Sequence, residues 1–82
     1  MQLTIVSPEK ILYTGEAELV TLPGTIGNFT ILERHAPIIS SLEKGTLVYR
    51  VKGEDKELAI NGGFVEAKNN DVSVCIEVER FR

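Results

Sequence analysis

This chain lacks the means for a disulfide, a histidine/cysteine zinc site or a membrane-spanning helix. It has one cysteine, Cys75, and one histidine, His35. A single cysteine excludes an internal disulfide, and one of each cannot fill an all-His/Cys zinc site. No apolar run approaches the ~18–20 residues of a membrane span. Basic residues are outnumbered, nine Lys and Arg against 12 Asp and Glu, and they are scattered without runs. Phosphate-binding surfaces draw on clustered Lys and Arg, so a nucleic-acid partner is not expected. The opening MQLTIV has neither the basic nor the apolar region of a signal peptide. The expectation is a cytosolic protein, or one on the cytosolic side of a membrane. The phosphate cradle G-x-x-x-x-G-K-[ST] is missing as well, and no stretch combines helical periodicity with a cap and a stop.

What is present reads as strand. With 82 residues the only reasonable count is one domain, residues 1–82. Domains this small bury roughly 60–65% of the surface of the unfolded chain and are marginal without staples or partners. Short runs rich in Val, Ile, Leu, Thr and Tyr are cut by Gly, Pro, Asn and Asp, the pattern of an all-β sandwich or barrel. Strands are predicted at 2–7, 10–14, 16–22, 28–33, 38–42, 45–52, 56–61, 63–68 and 71–79. Val72, Val74, Ile76 and Val78 alternate with Ser73, Cys75, Glu77 and Glu79, and Leu47, Tyr49 and Val51 with Val48, Arg50 and Lys52. A period of two puts each set on one face of a strand. Gly53-Glu54-Asp55 and Asn69-Asn70-Asp71 are predicted hairpin turns. Asn61-Gly62-Gly63 is a predicted bulge or corner where the chain changes sheet. Pro8, Pro23 and Pro37 fall at strand boundaries, as their missing N–H requires.

Catalytic constellations are hard to assemble. Cys75 and His35 are distant in sequence, no third residue is marked out to orient the imidazole, and a mid-strand cysteine usually behaves as a small hydrophobe. Glu16 with Glu18 and Glu77 with Glu79 read as same-strand neighbours on solvated faces, not as carboxylates opposed across an apolar cleft. Pro23-Gly24-Thr25-Ile26-Gly27 reads as a turn needing positive φ. The unusual segment is Arg34-His35-Ala36-Pro37-Ile38-Ile39, because one of two adjacent isoleucines in a two-layer domain faces outward. An exposed apolar side chain of that kind adds to a partner surface. The residues by themselves support a protein-binding β domain with no cofactor. A swinging-arm carrier of the lipoyl or biotinyl type, modified at Lys56 within Glu54-Asp55-Lys56-Glu57, is the alternative. It lacks the quasi-twofold repeat of that fold.

Several blocks together resemble a known family. They are Val6-Ser7-Pro8-Glu9, Tyr13-Thr14-Gly15-Glu16, Leu22-Pro23-Gly24-Thr25-Ile26-Gly27-Asn28-Phe29, Ile31-Leu32, His35-Ala36-Pro37, Leu42-Glu43-Lys44-Gly45-Thr46-Leu47 and Gly62-Gly63-Phe64-Val65-Glu66. In that order and spacing, across almost the whole chain, they are similar to the N-terminal domain of the ATP synthase epsilon subunit (called delta in mitochondria). The resemblance implies a flattened β-sandwich or barrel of about ten short strands. It implies a non-catalytic central-stalk subunit of the proton-translocating enzyme, peripheral to the cytoplasmic face of the bacterial inner membrane and not inserted in it. The implied partners are the gamma subunit, facing Ser7, His35, Ala36, Pro37, Ile38, Ile39 and Ser40, and the c-subunit ring, facing Gly24, Thr25, Ile26, Gly27 and Asn28. Asn28 stands where relatives often carry glutamate, so a carboxylate such as Glu33 would have to supply any charge there. Glu33-Arg34 replaces a common Pro-Gly, which gives the turn before His35 a shape of its own. Many relatives continue into a helical hairpin that can restrain ATP hydrolysis and in some binds ATP. These 82 residues end just after the last strand, and neither an inhibitory helix nor a nucleotide site is expected within them.

Overall fold

A computed structural model describes residues 1–78. Among them lie nine strands and no helix: β1 (Gln2–Val6), β2 (Ile11–Glu16), β3 (Leu19–Gly24), β4 (Gly27–Leu32), β5 (Ile38–Leu42), β6 (Gly45–Val51), β7 (Glu54–Ile60), β8 (Gly62–Lys68) and β9 (Asp71–Glu77). The strands hydrogen-bond in the order β2-β1-β9-β8-β5-β3-β6-β7, with β4 on the other edge of β3. Between β5 and β3 the pairing narrows to a single partnership, Gly24 with Leu42. The sheet folds over at that seam into a half-barrel of two layers, β2-β1-β9-β8-β5 and β4-β3-β6-β7.

Alternation explains the core. Leu3, Ile5, Val65, Val72, Val74 and Ile76 point in from the first layer, Val20, Leu22, Ile31, Leu47 and Ile60 from the second, and all are buried in one cluster. Leu47 and Tyr49 face inward as the period of two requires, and the Tyr49 ring meets Tyr13 at 4.9 Å between centroids. Among the described residues no polar or charged side chain is buried. Val78 lies beyond β9 but packs on the core, and Glu79 falls outside the described residues.

Most differences from the sequence reading concern where strands end. The turn between β6 and β7 is Lys52-Gly53, with φ of 52° and 78°, so Glu54 and Asp55 already belong to β7. Glycine at the second position lets the tighter two-residue turn form where a longer one was expected. β2 runs through Glu16, and Glu18 lies in the bend before β3, so these two carboxylates do not share a strand. Pro23 is inside β3, opposite Asn28 next to the hairpin tip; its carbonyl accepts from Glu43 N at 2.8 Å. Of the predicted Asn69-Asn70-Asp71 turn, Asn69 and Asn70 make the turn, with φ of 55° and 61°, and Asp71 already opens β9 opposite Lys68. Asn61-Gly62-Gly63 is the corner at which the chain passes from the second layer to the first. There Gly63 has φ of 143°, and a Cβ on it would lie 2.1 Å from the Cys75 carbonyl oxygen. Only glycine fits.

Candidate functional site

The two isoleucines of β5 divide as a strand in a two-layer body must divide them. Ile38 pairs with Ala67 and packs on the core. Ile39 pairs with Glu66 and is 74% exposed. The outward face that Ile39 joins is built by register. Phe64 pairs with Cys75, Cys75 with Val6 and Val6 with Ile11. This sets one apolar row across β8, β9, β1 and β2. Ile39 stands diagonal to Phe64, within about 7–8 Å by sheet geometry. Phe64 is 52% and Ile11 64% exposed. Beside the row runs an open groove of about 630 Å³, walled by Val6, Ser7, Pro8, Phe64 and Cys75.

The residues expected to face one partner are spread along this face. Ser7 lies in the groove wall, where its N–H donates to the Lys10 carbonyl at 2.9 Å. His35, Ala36 and Pro37 are exposed on the crossover from β4 to β5, beside the β8–β9 turn. Ser7 and His35 therefore sit at opposite ends of the first layer, roughly 20 Å apart at the ordinary rise of a strand. The apolar row and Ile39 lie between them. Ser40 points inward opposite Val65. Phe64, Cys75, Val6 and Ile11 were missed as members of this surface. The signal for them was the adjacent apolar pairs Ile5-Val6, Ile11-Leu12, Phe64-Val65 and Cys75-Ile76, of the same kind as Ile38-Ile39.

Four interactions hold the crossover. Arg34 adopts φ of 61°, a conformation that costs a non-glycine residue of order 1 kcal/mol. Its N–H donates to Asn70 Oδ1 at 2.9 Å, and Asn70 Nδ2 donates to Glu33 Oε2 at 3.1 Å. His35 N donates to the Leu32 carbonyl at 3.2 Å. Glu33 Oε1 also meets the Met1 ammonium. That ammonium and the Asn70 amide hold the Glu33 carboxyl below the usual carboxylate range. His35 Nδ1 donates to the Ala36 carbonyl at 2.7 Å, which turns the imidazole to its own backbone.

The second predicted surface is the β3–β4 hairpin. Thr25 and Ile26 form its tip; Thr25 N donates to the Ser41 carbonyl at 3.3 Å, and its hydroxyl lies 3.3 Å from that of Ser41. Ile26, Gly27 and Asn28 are exposed, and the Ile26 side chain is fully in solvent. Gly24 is buried, since a Cβ there would lie 2.7 Å from the Phe29 ring; it shapes the tip from beneath. Glu33 cannot lend its charge here. It stands past the far end of β4, tied to Met1 and Asn70, and the carboxylate next to the tip is Glu43, whose N–H bonds to Pro23. Lys56 is no carrier lysine at a hairpin tip either: it sits within β7 opposite Tyr49, because the turn closes at Lys52-Gly53.

The geometry is that of a two-layer strand body with one apolar row on its outer face. A family model described as "ATP synthase, Delta/Epsilon chain, beta-sandwich domain" matches residues 1–79, and the chain belongs to that family. ATP synthase epsilon chains of Leptospira interrogans serogroup Icterohaemorrhagiae serovar copenhageni and of Desulfitobacterium hafniense strain Y51 are each 47% identical to it, over 78 and 75 residues. Those matches cover 94% and 92% of this chain but 61% and 57% of the relatives, so the chain spans about three fifths of their length. A chain of the Tetrahymena thermophila mitochondrial ATP synthase central stalk and c-ring superposes with a TM-score of 0.80, covering 93% of this chain and 62% of that one at 18% identity. One from the Euglena gracilis mitochondrial ATP synthase, solved as OSCP, F1 and c-ring, gives 0.85 over 90% and 48% at 19% identity. The likeness to these two structures is one of fold.

Proposed function

We propose that this chain is a non-catalytic part of the rotor of a proton-translocating ATP synthase. In this reading it grips the gamma subunit with the outer face of β5-β8-β9-β1 and rests the β3–β4 tip on the c-ring. It turns with both, and so couples ring rotation to ATP synthesis while staying peripheral to the cytoplasmic face of a bacterial inner membrane. The observation that carries the reading is the row Phe64–Cys75–Val6–Ile11 with Ile39 beside it. A small domain that leaves such a row in water has left it for a partner. Family membership says in which machine that partner is to be sought. Passing torque demands a stiff part, and short strands joined by tight turns supply one. His35, Ala36 and Pro37 form the upper rim of the gamma surface and Ser7 its lower rim. Thr25, Ile26, Gly27 and Asn28 meet the ring over the buried Gly24. Those tip residues carry no ionisable side chain, so they offer the ring no ion pair of their own.

Ile39→Asp tests the reading. The side chain is exposed, so the variant folds. Binding to purified gamma subunit, measured by calorimetry, weakens by about 2 kcal/mol or more, the scale of an interface hot spot. Unchanged affinity would remove Ile39, and the face it stands on, from the interface.

A further inference from the structure

The Asn69-Asn70 turn does more than reverse the chain. Its counterpart between β6 and β7, Lys52-Gly53, also has positive φ at both positions and carries glycine at the second. That is the residue two-residue hairpins favour there. Asn70 occupies the same slot at φ 61° and keeps a side chain, and both ends of that side chain are in use. Its Oδ1 accepts from Arg34 N at 2.9 Å, and its Nδ2 donates to Glu33 Oε2 at 3.1 Å. Its backbone carbonyl accepts from Gln2 N at 3.1 Å. The same side chain therefore secures a left-handed Arg34 at the root of the His35-Ala36-Pro37 crossover, where the chain changes layer just before Ile39. Among the described residues, Asn69 makes no such bonds.

We infer that Asn70 is a positioning residue: its amide clamps Glu33-Arg34 and so holds the His35–Pro37 rim in the course that presents it to a partner. The docking half of this inference rests on the proposed gamma surface; the clamp itself does not. Without the amide, only the His35 N–Leu32 carbonyl bond closes the turn around Arg34, and the rim samples other courses. Docking must then order it again.

Two glycine variants of the full chain separate the roles. Asn70→Gly keeps the turn, since glycine suits that position, and removes the clamp; Asn69→Gly alters the same turn and spares it. Amide hydrogen exchange at Arg34 and His35 is expected to speed up at least tenfold in Asn70→Gly and to stay at the wild-type rate in Asn69→Gly. Affinity for the gamma subunit is expected to fall about tenfold in the first variant only, the scale of one lost hydrogen bond to a charged or strained group. Equal exchange in the two variants overturns the clamp. Faster exchange with unchanged affinity overturns its part in docking. Wild-type protein that does not bind gamma refutes the proposed function instead, and the exchange comparison still decides the clamp.

Discussion

The two outer faces of the half-barrel follow from the same alternation but are made of different residues. On the first layer, one row is apolar across four of the five strands: Phe64, Cys75, Val6 and Ile11, with Ser41 of β5 opposite Phe64. On the second, the rows are tied up among themselves. The Thr21 and Thr30 hydroxyls lie 2.8 Å apart, and Arg50 pairs with Asp55 at 2.7 Å. Val48 there stands between Thr21 and Glu57. Leu19 and Leu32 are neighbours across β3 and β4, a patch of two beside the Arg50–Asp55 pair. A face that satisfies its own polar groups has no unmet demand for a partner. An apolar row does, because removing it from water yields roughly 25 cal/mol per Å². The contrast is why the proposed partner surface is put on the first layer and not on the second.

The contrast can be broken most severely from within. Gly63→Ala puts a Cβ against the Cys75 carbonyl and forces φ of 143° on a residue with a side chain. It pries β8 from β9, the two strands that carry Phe64 and Cys75. Urea unfolding is expected to show a loss of about 3 kcal/mol or more, or no cooperative transition at all. Wild-type stability in that variant would mean that the corner is not built as described.

Less severe, and sharper, is a matched pair of surface changes. Phe64→Asp on the first layer should weaken gamma binding by about 2 kcal/mol or more. Thr30→Asp on the second should change it by less than about 0.5 kcal/mol. Calorimetric titrations of both variants decide whether the two faces differ in function as they do in composition. The smallest effect belongs to the Arg50–Asp55 pair. The Arg50 guanidinium holds the Asp55 carboxyl below its usual range. A lowered folded-state pKa adds stability that is fully present above the unfolded value of about 3.9 and is lost as pH falls through the folded one. The Asp55→Asn variant should therefore melt slightly below wild type at pH 7, with the gap closing in acid. Both partners are exposed, so added salt should narrow the gap too. A gap that widens in acid would contradict the pairing.

Much of this architecture is legible along the chain, because strand periodicity and turn chemistry are local. Nine strands, the Asn69-Asn70 turn, the corner at Gly62-Gly63 and the division of Ile38 from Ile39 all follow from neighbours in sequence. The apolar row does not. Its members come from positions 6, 11, 64 and 75; local alternation says which way Val6, Phe64 and Cys75 point without saying which strands lie side by side. Ile11 faces out, unlike Tyr13 two residues on, because the β1–β2 register shifts at Val6. The parallel pairing of β1 with β9, which completes the row, has no turn to announce it. The same limit separated Ser7 from His35 along the face and hid Asn70, whose side chain reaches residues 36 and 37 positions away. In the Glu33-Arg34 turn the bond from Asn70, not a glycine at position 34, supports the left-handed backbone.

The most direct test is a protection map of the chain with and without the gamma subunit, by amide and side-chain footprinting. Protection centred on Ile39, Phe64, Cys75 and Val6, with Thr21, Thr30 and Glu57 left open, is what the account predicts. Protection of the threonine face with Phe64 and Ile39 still reacting freely would contradict it.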